Sequence, residues 1–443
     1  MAESAEIVII GGGVIGLGIA YHLAERGVSD VVLIERNQLT SGTSWHAAGI
    51  VGPLRASLNL THLARYAMEL FPALEEKTGQ SSGYQRTGGL WLARNEDRMV
   101  ELRRIAHMGE VTGMHVEMIA PPTIAERVPS LSVDGLVGAL WVDEDGQASP
   151  VDICAAYAKR ARSAGIRIRE NVGCAGFDIE NGRVAGVRLT TGETIRCGKV
   201  INAAGAWARD VGALAGVPVP LQAVEHMYVV TEAIPGLEQP FPIVRDLDEG
   251  IYIKGDSGKL VLGGFEPDAK LFQTKSVQGE QPFLELPDDW GQFEPFMTAG
   301  LALMPKLADA GIRHFMNGPE SFTPDTRPLM GESPYLRGFY VDRHDVLCRC
   351  WPGHGGMGAR RRAGARSVGT RRRTVRPVGR FEIFCRQADG GIGRRPLPHA
   401  LALQAGQGGP RYQAFGLSSA VRRDGRRLRR PDWLGAAPMV CRQ

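Results

Sequence analysis

The sequence has few of the features that mark secreted or membrane proteins. Its 7 cysteines follow no disulfide framework spacing, and Cys348-x-Cys350 is not a zinc motif, so we predict no disulfide and no metal site. No apolar run reaches the roughly 18 residues of a membrane-spanning helix, so no membrane partner is expected. Residues 1–6 are polar and acidic, unlike a signal or transit peptide. This favours a cytoplasmic location, or an organelle protein given without its presequence.

Lysine is missing from the C-terminal segment. Val341–Gln443 contains 22 Arg, no Lys and 6 acidic residues, a charge of +16, whereas the remaining 30 basic and 42 acidic residues leave −12 elsewhere. Two differently composed sequences therefore meet near Val341. The length of 443 residues and the 43% hydrophobic content suit two or three globular domains.

What the sequence does contain begins with a glycine-rich turn. The apolar run 7–10 leads into Gly11, Gly13 and Gly16, a helical pattern follows, and a second apolar strand ends at Glu35. This order is typical of a βαβ unit that binds a dinucleotide. The alternative is a glycine-rich turn that has no ligand.

Each residue of this motif has an expected task. Gly11 permits the tight turn, Gly13 lets the backbone approach a pyrophosphate, and Gly16 lets the helix pack close to the strand. The pyrophosphate is expected at the helix N terminus, which begins with Val14 and Ile15, because free N–H groups and the helix dipole favour an anion there. Glu35 is placed to accept hydrogen bonds from an adenosine ribose.

A loop of small polar residues follows: Ser41-Gly42-Thr43-Ser44-Trp45-His46-Ala47-Ala48-Gly49. Together with residues 11–27 and Glu35-Arg36, this loop resembles the FAD-dependent amine oxidoreductases of the D-amino-acid-oxidase superfamily, in particular the dimethylglycine and sarcosine dehydrogenases and oxidases. In those enzymes the His of the Trp-His pair is joined covalently to the flavin 8α-methyl group. The resemblance implies the same bond at His46, which would make the flavin a stronger oxidant. The alternative is a histidine that only packs in the loop.

Three later stretches fit a flavin protein. Residues 166–169 and Val172 form an expected strand whose backbone would meet the adenine. After a small hairpin over 187–195, residues 200–202 form a buried strand that turns tightly into a helix, with Ala204, Gly205 and Trp207 in the turn. The stretch from Pro324 through Pro328 to Gly331 resembles the family's return to the flavin, where backbone N–H groups lie near the pyrimidine end of the ring.

The substrate region is expected as a mostly antiparallel sheet with intervening helices over 219–317. His226 and Tyr252 lie in stretches similar to those that face the substrate in the dimethylglycine enzymes. The alternatives are a histidine satisfied in the core and a tyrosine packed on the sheet. Arg245 could pair with a substrate carboxylate, although a surface salt bridge is the favoured interpretation.

The resemblance implies an α/β flavoprotein with a Rossmann-type FAD-binding domain and an α+β substrate domain. The expected bounds are 1–84, 148–218 and 318–341 for the first, and 85–147 and 219–317 for the second. The implied reaction is hydride transfer from an N-methyl amine, such as dimethylglycine or sarcosine, to the flavin. The iminium product hydrolyses to formaldehyde and the demethylated amine. Electrons pass to O₂ or to an electron-transfer flavoprotein.

Two further expectations concern the site and its alternatives. A site without a nearby carboxylate charge would help to keep the amine neutral, with His226 and Tyr252 as hydrogen-bonding groups. Other candidate functions are a D-amino-acid or glycerol-phosphate dehydrogenase of the same superfamily, or a non-catalytic flavin-binding protein.

The resemblance fades near residue 341, and 342–443 is expected to be irregular or disordered. Only Gly353–Gly358 is similar to the family's closing glycine loop. The Arg-rich segment could be a basic tail for nucleic acid or anionic surfaces, a solvated tail, or the product of out-of-frame translation of a GC-rich gene. We favour the last, and therefore expect no nucleic-acid partner. Sequencing the coding DNA around codons 340–345 tests this hypothesis, which fails if neither alternative frame restores the glycine loop and a helix.

Overall fold

The fold is described from a computed structural model, which defines residues 3–55, 57–274, 281–325 and 327–343. The predictions made for the Arg-rich segment from residue 344 onward lie outside these ranges.

The described residues form nineteen strands and seven α-helices. The strands are β1 (Ser4–Ile10), β2 (Val31–Ile34), β3 (Ile50–Val51), β4 (Gln85–Arg86), β5 (Gly89–Ala93), β6 (Val116–Ile119), β7 (Gly138–Val142), β8 (Gly146–Gln147), β9 (Arg167–Arg169), β10 (Cys174–Glu180), β11 (Arg183–Leu189), β12 (Thr194–Asn202), β13 (Gln222–Thr231), β14 (Ile243–Asp246), β15 (Ile251–Asp256), β16 (Lys259–Gly264), β17 (Ile312–Phe322), β18 (Leu329–Glu332) and β19 (Phe339–Arg343). The helices are α1 (Val14–Glu25), α2 (Leu58–Thr78), α3 (Glu96–Val111), α4 (Pro121–Arg127), α5 (Pro150–Ser163), α6 (Ala208–Leu214) and α7 (Trp290–Leu303), and short 3₁₀ helices span Thr43–His46, Gly205–Trp207 and Pro305–Asp309.

The first sheet contains the N-terminal βαβ unit. Its strand order is β10-β11-β12-β1-β2-β9, with β19 beside β12 and β18 beside β19. Strands β12, β1, β2 and β9 run parallel, and β19 runs parallel to β12. The carboxyl ends of β1, β2 and β12 therefore lie on one edge, which is where open α/β sheets bind ligands.

Two glycines in the first turn have no room for a side chain. Gly11 has a φ of +114°, a value that L side chains rarely adopt. A Cβ there would overlap the Ala203 carbonyl, and a Cβ on Gly16 would overlap the Gly11 carbonyl oxygen. Helix α1 consequently lies close against the strand that precedes it.

Helix α5 begins at a local start signal, a serine followed by a proline. The Ser149 side chain accepts a hydrogen bond from the Asp152 N–H, and Pro150 is the first helical residue. A serine N-cap of this kind is worth about 1 kcal/mol, and proline needs no N–H partner at that position. Buried side chains of α1, α2 and α5 share one hydrophobic cluster over the first sheet.

The second sheet is mostly antiparallel, as expected. Its order is β17-β13-β16-β15-β14-β5-β7-β6, and the single parallel pair is β14 with β5. One face packs on α7 in a hydrophobic cluster that includes Met227, Val229, Ile253, Leu262 and Phe293. Because side chains alternate along a strand, the neighbouring residues point to the opposite face. That polar face presents the side chains His226, Tyr228, Arg245 and Tyr252.

The predicted hairpin over 187–195 is present, but the predicted break after it is wrong. Strand β11 pairs with the start of β12, and β12 continues without interruption through Val200. Its parallel pairing with β1 extends from Arg196 to Asn202 and bridges Gly198 and Lys199. The ladder supplied by β1 thus holds a stretch that local propensity alone would break.

The described ranges contain neither a candidate membrane span nor a candidate metal cluster. No helix there is long and apolar enough to cross a membrane, and no group of three or more His, Cys, Asp or Glu could hold a metal ion. Cys154, Cys174 and Cys197 are buried and unbridged.

Candidate active site

The dinucleotide end of the site is built from backbone groups. Helix α1 starts after Gly13, whose N-cap position carries no side-chain hydrogen bond. The Ser44 hydroxyl, from the loop after β2, accepts the Val14 N–H at 2.9 Å. The first-turn amides at Ile15 and Gly16 have no partner within the helix, as at every helix start. They face the edge where β1 and β2 end.

Glu35 lies at this edge and is held by two backbone donors. Its Oε2 accepts the Gly12 N–H at 2.7 Å, and its Oε1 accepts the Asn37 N–H at 2.9 Å. Burial raises the pKa of Glu35, and the two backbone hydrogen bonds oppose that rise. A carboxylate has about four acceptor positions, so acceptors remain for ribose hydroxyls. The Val172 N–H donates to the Glu35 carbonyl at 2.9 Å, which fixes Val172 beside it.

The turn after β12 reaches the same edge. The guanidinium of Arg36 stacks on the Trp207 ring, 4.0 Å from its centroid. The Ala204 N–H donates to the Asn202 side chain at 3.3 Å, and Gly205 adopts a φ of +57°. A Cβ on Gly205 would meet nothing within 4 Å, so space lies in front of this turn.

The remaining predicted cofactor residues are placed by strand pairing. Ala48 and Gly49 precede β3, and Gly49, with a φ of +74°, passes so close to Ala148 that a Cβ would overlap its carbonyl. Pro328 precedes β18 and Gly331 lies on it, where Gly331 pairs with Val341 of β19. Pro328 and Gly331 therefore belong to the β12 side of the first sheet.

The residues present fit a bound flavin dinucleotide. A Cβ on Gly13 would meet only the Ser44 hydroxyl, at 3.1 Å, so a ligand can approach this backbone closely. The indole Nε1 of Trp45 is buried and has no acceptor within the described ranges. Buried donors without an acceptor are rare in folded proteins. An acceptor supplied by a ligand beside Trp45 would satisfy it.

His46 joins the loop after β2 to the second sheet. A Cβ on Gly318 would lie 2.7 Å from His46 Cε1 and 2.8 Å from Nε2, so the ring packs directly on the strand. Thr43 adds a hydrogen bond of 3.1 Å to the Pro319 carbonyl. Gly318 pairs with His226 across β13 and β17, which brings the two histidines together. Burial, with the charge of His226, lowers the pKa of His46 to about 4, so its ring is neutral at pH 7.

His226 is held between two carboxylates. Its Nδ1 lies 3.0 Å from Glu266 Oε2, and its Nε2 lies 3.7 Å from Glu320 Oε2. Burial alone lowers the pKa of His226, but Glu266 and then Glu320 outweigh it and raise the pKa to about 9. The ring also stacks on Phe265, with centroids 5.4 Å apart. His226 is therefore an imidazolium at pH 7.

Tyr252 lies on the same face as His226. It is buried, and its ring centroid is 6.2 Å from that of Phe265. Its hydroxyl lies over Gly263, where any Cβ would overlap it. Burial, with smaller contributions from Tyr228, Glu320 and Glu266, raises the pKa of Tyr252 well above its usual value. The phenol is thus a neutral hydrogen-bond donor.

The expectation of a site without nearby carboxylates is wrong. Glu266 and Glu320 both flank His226, and sequence reasoning missed them because each lies on a different strand or strand end. Only the pairing of β13 with β16 and β17 brings them together. The available signal was an acid two residues past Gly264, shortly after the apolar run 260–262.

Two arginines lie near this face, one placed differently from expectation and one not predicted. Arg245 is buried in an ion pair with Asp145 and lies over Trp91, so it is neither a surface bridge nor a free cation. Arg55, which the sequence analysis missed, lies close to this pair. Its Nε is buried without an acceptor in the described chain. Burial, together with the charge of Arg245, lowers the pKa of Arg55 to about 9.

Comparison with known proteins agrees with this geometry. The family model described as FAD dependent oxidoreductase (DAO) matches residues 6–359, so the match continues beyond residue 341 through the glycine-rich stretch 353–358. The chain is 39% identical over 334 residues to 4-methylaminobutanoate oxidase (formaldehyde-forming) of Paenarthrobacter nicotinovorans, covering 75% of this chain and 40% of that protein. It is 39% identical over 347 residues to human mitochondrial sarcosine dehydrogenase, covering 77% and 37%. The chain thus spans about two fifths of the length of these relatives.

A solved structure extends the comparison to the fold. Glycine oxidase from Geobacillus kaustophilus superposes with a TM-score of 0.70 at 27% identity, over 83% of this chain and 98% of the other. The predicted α/β fold with a Rossmann-type unit and a mostly antiparallel second sheet is confirmed. The chain belongs to the DAO family of FAD-dependent oxidoreductases, related to amine-oxidising enzymes that include the sarcosine dehydrogenases.

Proposed function

We propose that this chain oxidises the N-methyl group of a small amine that also carries a carboxylate, such as sarcosine, dimethylglycine or 4-methylaminobutanoate. The observation that supports this proposal most is that His46, His226 and Tyr252 lie together at a buried polar face. The names of two relatives, a formaldehyde-forming methylamino acid oxidase and a sarcosine dehydrogenase, agree with this substrate class.

The proposed reaction removes two electrons from the amine. When bound, FAD accepts the hydride equivalent from the N-methyl carbon. The substrate is left as an iminium, water adds to its carbon, and cleavage of the C–N bond releases formaldehyde, the demethylated amine and a proton. The amine must react in its neutral form, because its nitrogen lone pair becomes the new C=N bond.

His226 and Tyr252 would orient the substrate. Both are hydrogen-bond donors on one sheet face. The positive charge of His226 lowers the pKa of a bound ammonium, whereas Glu266 and Glu320 beside it raise that pKa. His226 therefore offsets part of the negative charge that the two carboxylates bring to the site.

Arg55 would receive the substrate carboxylate. Its Nε is a buried donor with no acceptor among the described residues, and its neighbour Arg245 lies opposite Tyr252 across β14 and β15. A carboxylate is the ligand that a guanidinium binds best, because two parallel hydrogen bonds form. The carboxylate of such an amine would therefore neutralise the charge of Arg55 and accept a hydrogen bond from its Nε.

We further propose that His46 carries the flavin covalently, at the 8α-methyl carbon. A neutral imidazole has the free lone pair that such a bond requires, and burial keeps His46 neutral. The FAD-binding domain would comprise 1–84, 148–218 and 318–341, with the substrate domain in 85–147 and 219–317.

Anaerobic mixing tests the proposed reaction. Purified, flavin-loaded protein is mixed with sarcosine, dimethylglycine or 4-methylaminobutanoate, with glycine as the control that lacks an N-methyl group. We expect loss of the visible flavin absorbance and one formaldehyde per flavin with at least one methylated substrate, and neither with glycine. Bleaching by glycine alone would contradict the proposal. The rate of recovery in air, with and without an electron-transfer flavoprotein, identifies the electron acceptor.

A further inference from the structure

We propose that Glu266 is a positioning residue, which fixes the orientation of the His226 ring and keeps both ring nitrogens protonated. Its benefit to catalysis rests on the proposed function, but the protonation of the ring can be measured without any substrate.

Glu266 reaches His226 because of the way β16 ends. The ladder between β13 and β16 covers only Tyr228–Val230 on the β13 side. Beyond it, Glu266 Oε1 accepts the backbone N–H of Met227 at 2.9 Å, and Oε2 lies 3.0 Å from His226 Nδ1. One carboxylate thus binds the backbone of one residue and the side chain of its neighbour. This double attachment leaves the ring little freedom to rotate.

Because Glu266 is buried, its negative charge needs a partner. The residue is 4% exposed, and a buried carboxylate requires a compensating partner. Within the described ranges, His226 is the cation paired with it. An ionised carboxylate only accepts hydrogen bonds, so the proton between the two groups belongs to Nδ1.

The other ring nitrogen is left as a donor. His226 Nε2 is 3.7 Å from Glu320 Oε2, which is too long for a hydrogen bond. With Nδ1 anchored, Nε2–H faces the site as a charged donor. A ligand acceptor that lies over this face of the sheet would accept the hydrogen bond from Nε2–H directly.

Four titratable groups face the His226 ring from the elements around it. Glu266 follows β16, Glu320 is on β17, His46 is on the 3₁₀ helix and Tyr252 is on β15. His46 and Tyr252 are neutral at pH 7, so the two carboxylates set the charge of the ring. Glu266 is the closer and the more deeply buried, with 3% of its side chain exposed against 23% for Glu320.

A purely structural role for Glu266 makes a different prediction. If Glu266 only satisfies the Met227 N–H, then Glu266→Gln, which keeps an acceptor oxygen, should leave the protonation of His226 unchanged. If the charge matters, His226 should lose its Nδ1 proton in Glu266→Gln, because the Gln amide then donates to that nitrogen.

Nitrogen NMR of protein labelled with ¹⁵N-histidine distinguishes the two roles. His226→Asn identifies the His226 signals in the flavin-loaded protein. We expect the wild-type ring to titrate well above the usual value of about 6.5, and Glu266→Gln to lower the midpoint by about 1 to 3 pH units. The matched control Glu320→Gln removes the same charge near Nε2 and should cause a smaller shift.

Several results would overturn the inference. A wild-type midpoint near the usual histidine value contradicts it even if Glu266→Gln fails to fold. An unchanged midpoint in Glu266→Gln, or a larger shift in Glu320→Gln, also contradicts it. If the ring behaves as expected but no N-methyl amine bleaches the flavin, the inference stands and the proposed function fails. With an active substrate, the alkaline limb of kcat/KM should move to lower pH in Glu266→Gln.

Discussion

The cofactor half and the substrate half of the proposed site use different chemical groups. At the edge of the first sheet, the proposed cofactor residues near β1 and β2 are mainly backbone amides, glycines and one acid. On the second sheet, the groups proposed to face the substrate are side chains from strands far apart in sequence. His226 and Glu266 are 40 residues apart and meet only through strand pairing.

The two halves should therefore respond differently to substitutions. The first half has positions where no side chain fits, so a small change there disturbs the fold and the cofactor together. The second half has charged groups whose conservative replacement we expect to change binding or protonation more than the fold. His46 on Gly318 is the contact between the two halves, and it should show both kinds of effect.

The largest effect is expected at Gly16. In Gly16→Val the new side chain would overlap the Gly11 carbonyl, which overpacks the turn and costs about 3 kcal/mol or more. We expect loss of bound flavin and a strongly lowered Tm. The control is Gly198→Ala, where a Cβ would meet nothing within 4 Å. A Gly16→Val protein that retains flavin and the wild-type Tm would contradict the turn geometry.

The next effect is expected at Gly318. A Cβ there would lie 2.7 Å from the His46 ring, so Gly318→Val should displace the ring at a cost of about 1 to 3 kcal/mol. We expect a folded protein that still binds FAD but keeps less of it on the chain after acid precipitation. Equal retention in wild type and Gly318→Val would show that His46 does not hold the flavin in this position.

Arg55→Met tests the substrate half alone. Loss of a charged hydrogen-bonding partner costs about 1.5 to 3 kcal/mol, which corresponds to a roughly 10- to 100-fold higher KM for a carboxylate-bearing amine. Flavin content and Tm should stay close to wild type. An N-methyl amine without a carboxylate should bind equally to both proteins. If KM for the carboxylate substrate does not change, Arg55 does not contact it.

The last effect is expected at Asp342, near the end of the first sheet, and it depends on pH. Asp342 is 3% exposed, its Oδ1 has no partner within the described residues, and burial raises its pKa to about 7. The folded state therefore holds a proton that the unfolded chain releases above about pH 4, so stability from this group falls as pH rises from about 4 to 7. Asp342→Asn should raise the Tm more at pH 8 than at pH 5. The same change in Tm at both pH values would contradict the raised pKa of Asp342.

Structural features that depend only on adjacent residues can be predicted from the sequence. The Gly11–Gly16 turn and the Ser149-Pro150 helix start are local, and each is present in the structure. Strand register is not local, so β12 was wrongly divided, and the acids beside His226 were missed. The burial of Arg245 against Asp145, 100 residues away, likewise depends on which strands become neighbours.

We propose that His46 binds the flavin where the two halves meet, and proteolysis of the flavin-loaded protein tests this bond directly. Trypsin should release the peptide Asn37–Arg55, which contains His46 and has no internal Lys or Arg. After denaturation and digestion of the flavin-loaded protein, mass spectrometry should find this peptide with the mass of FAD less two hydrogens added, and His46→Ala should abolish the adduct. An unmodified peptide, with all the flavin released into solution, would contradict the claim.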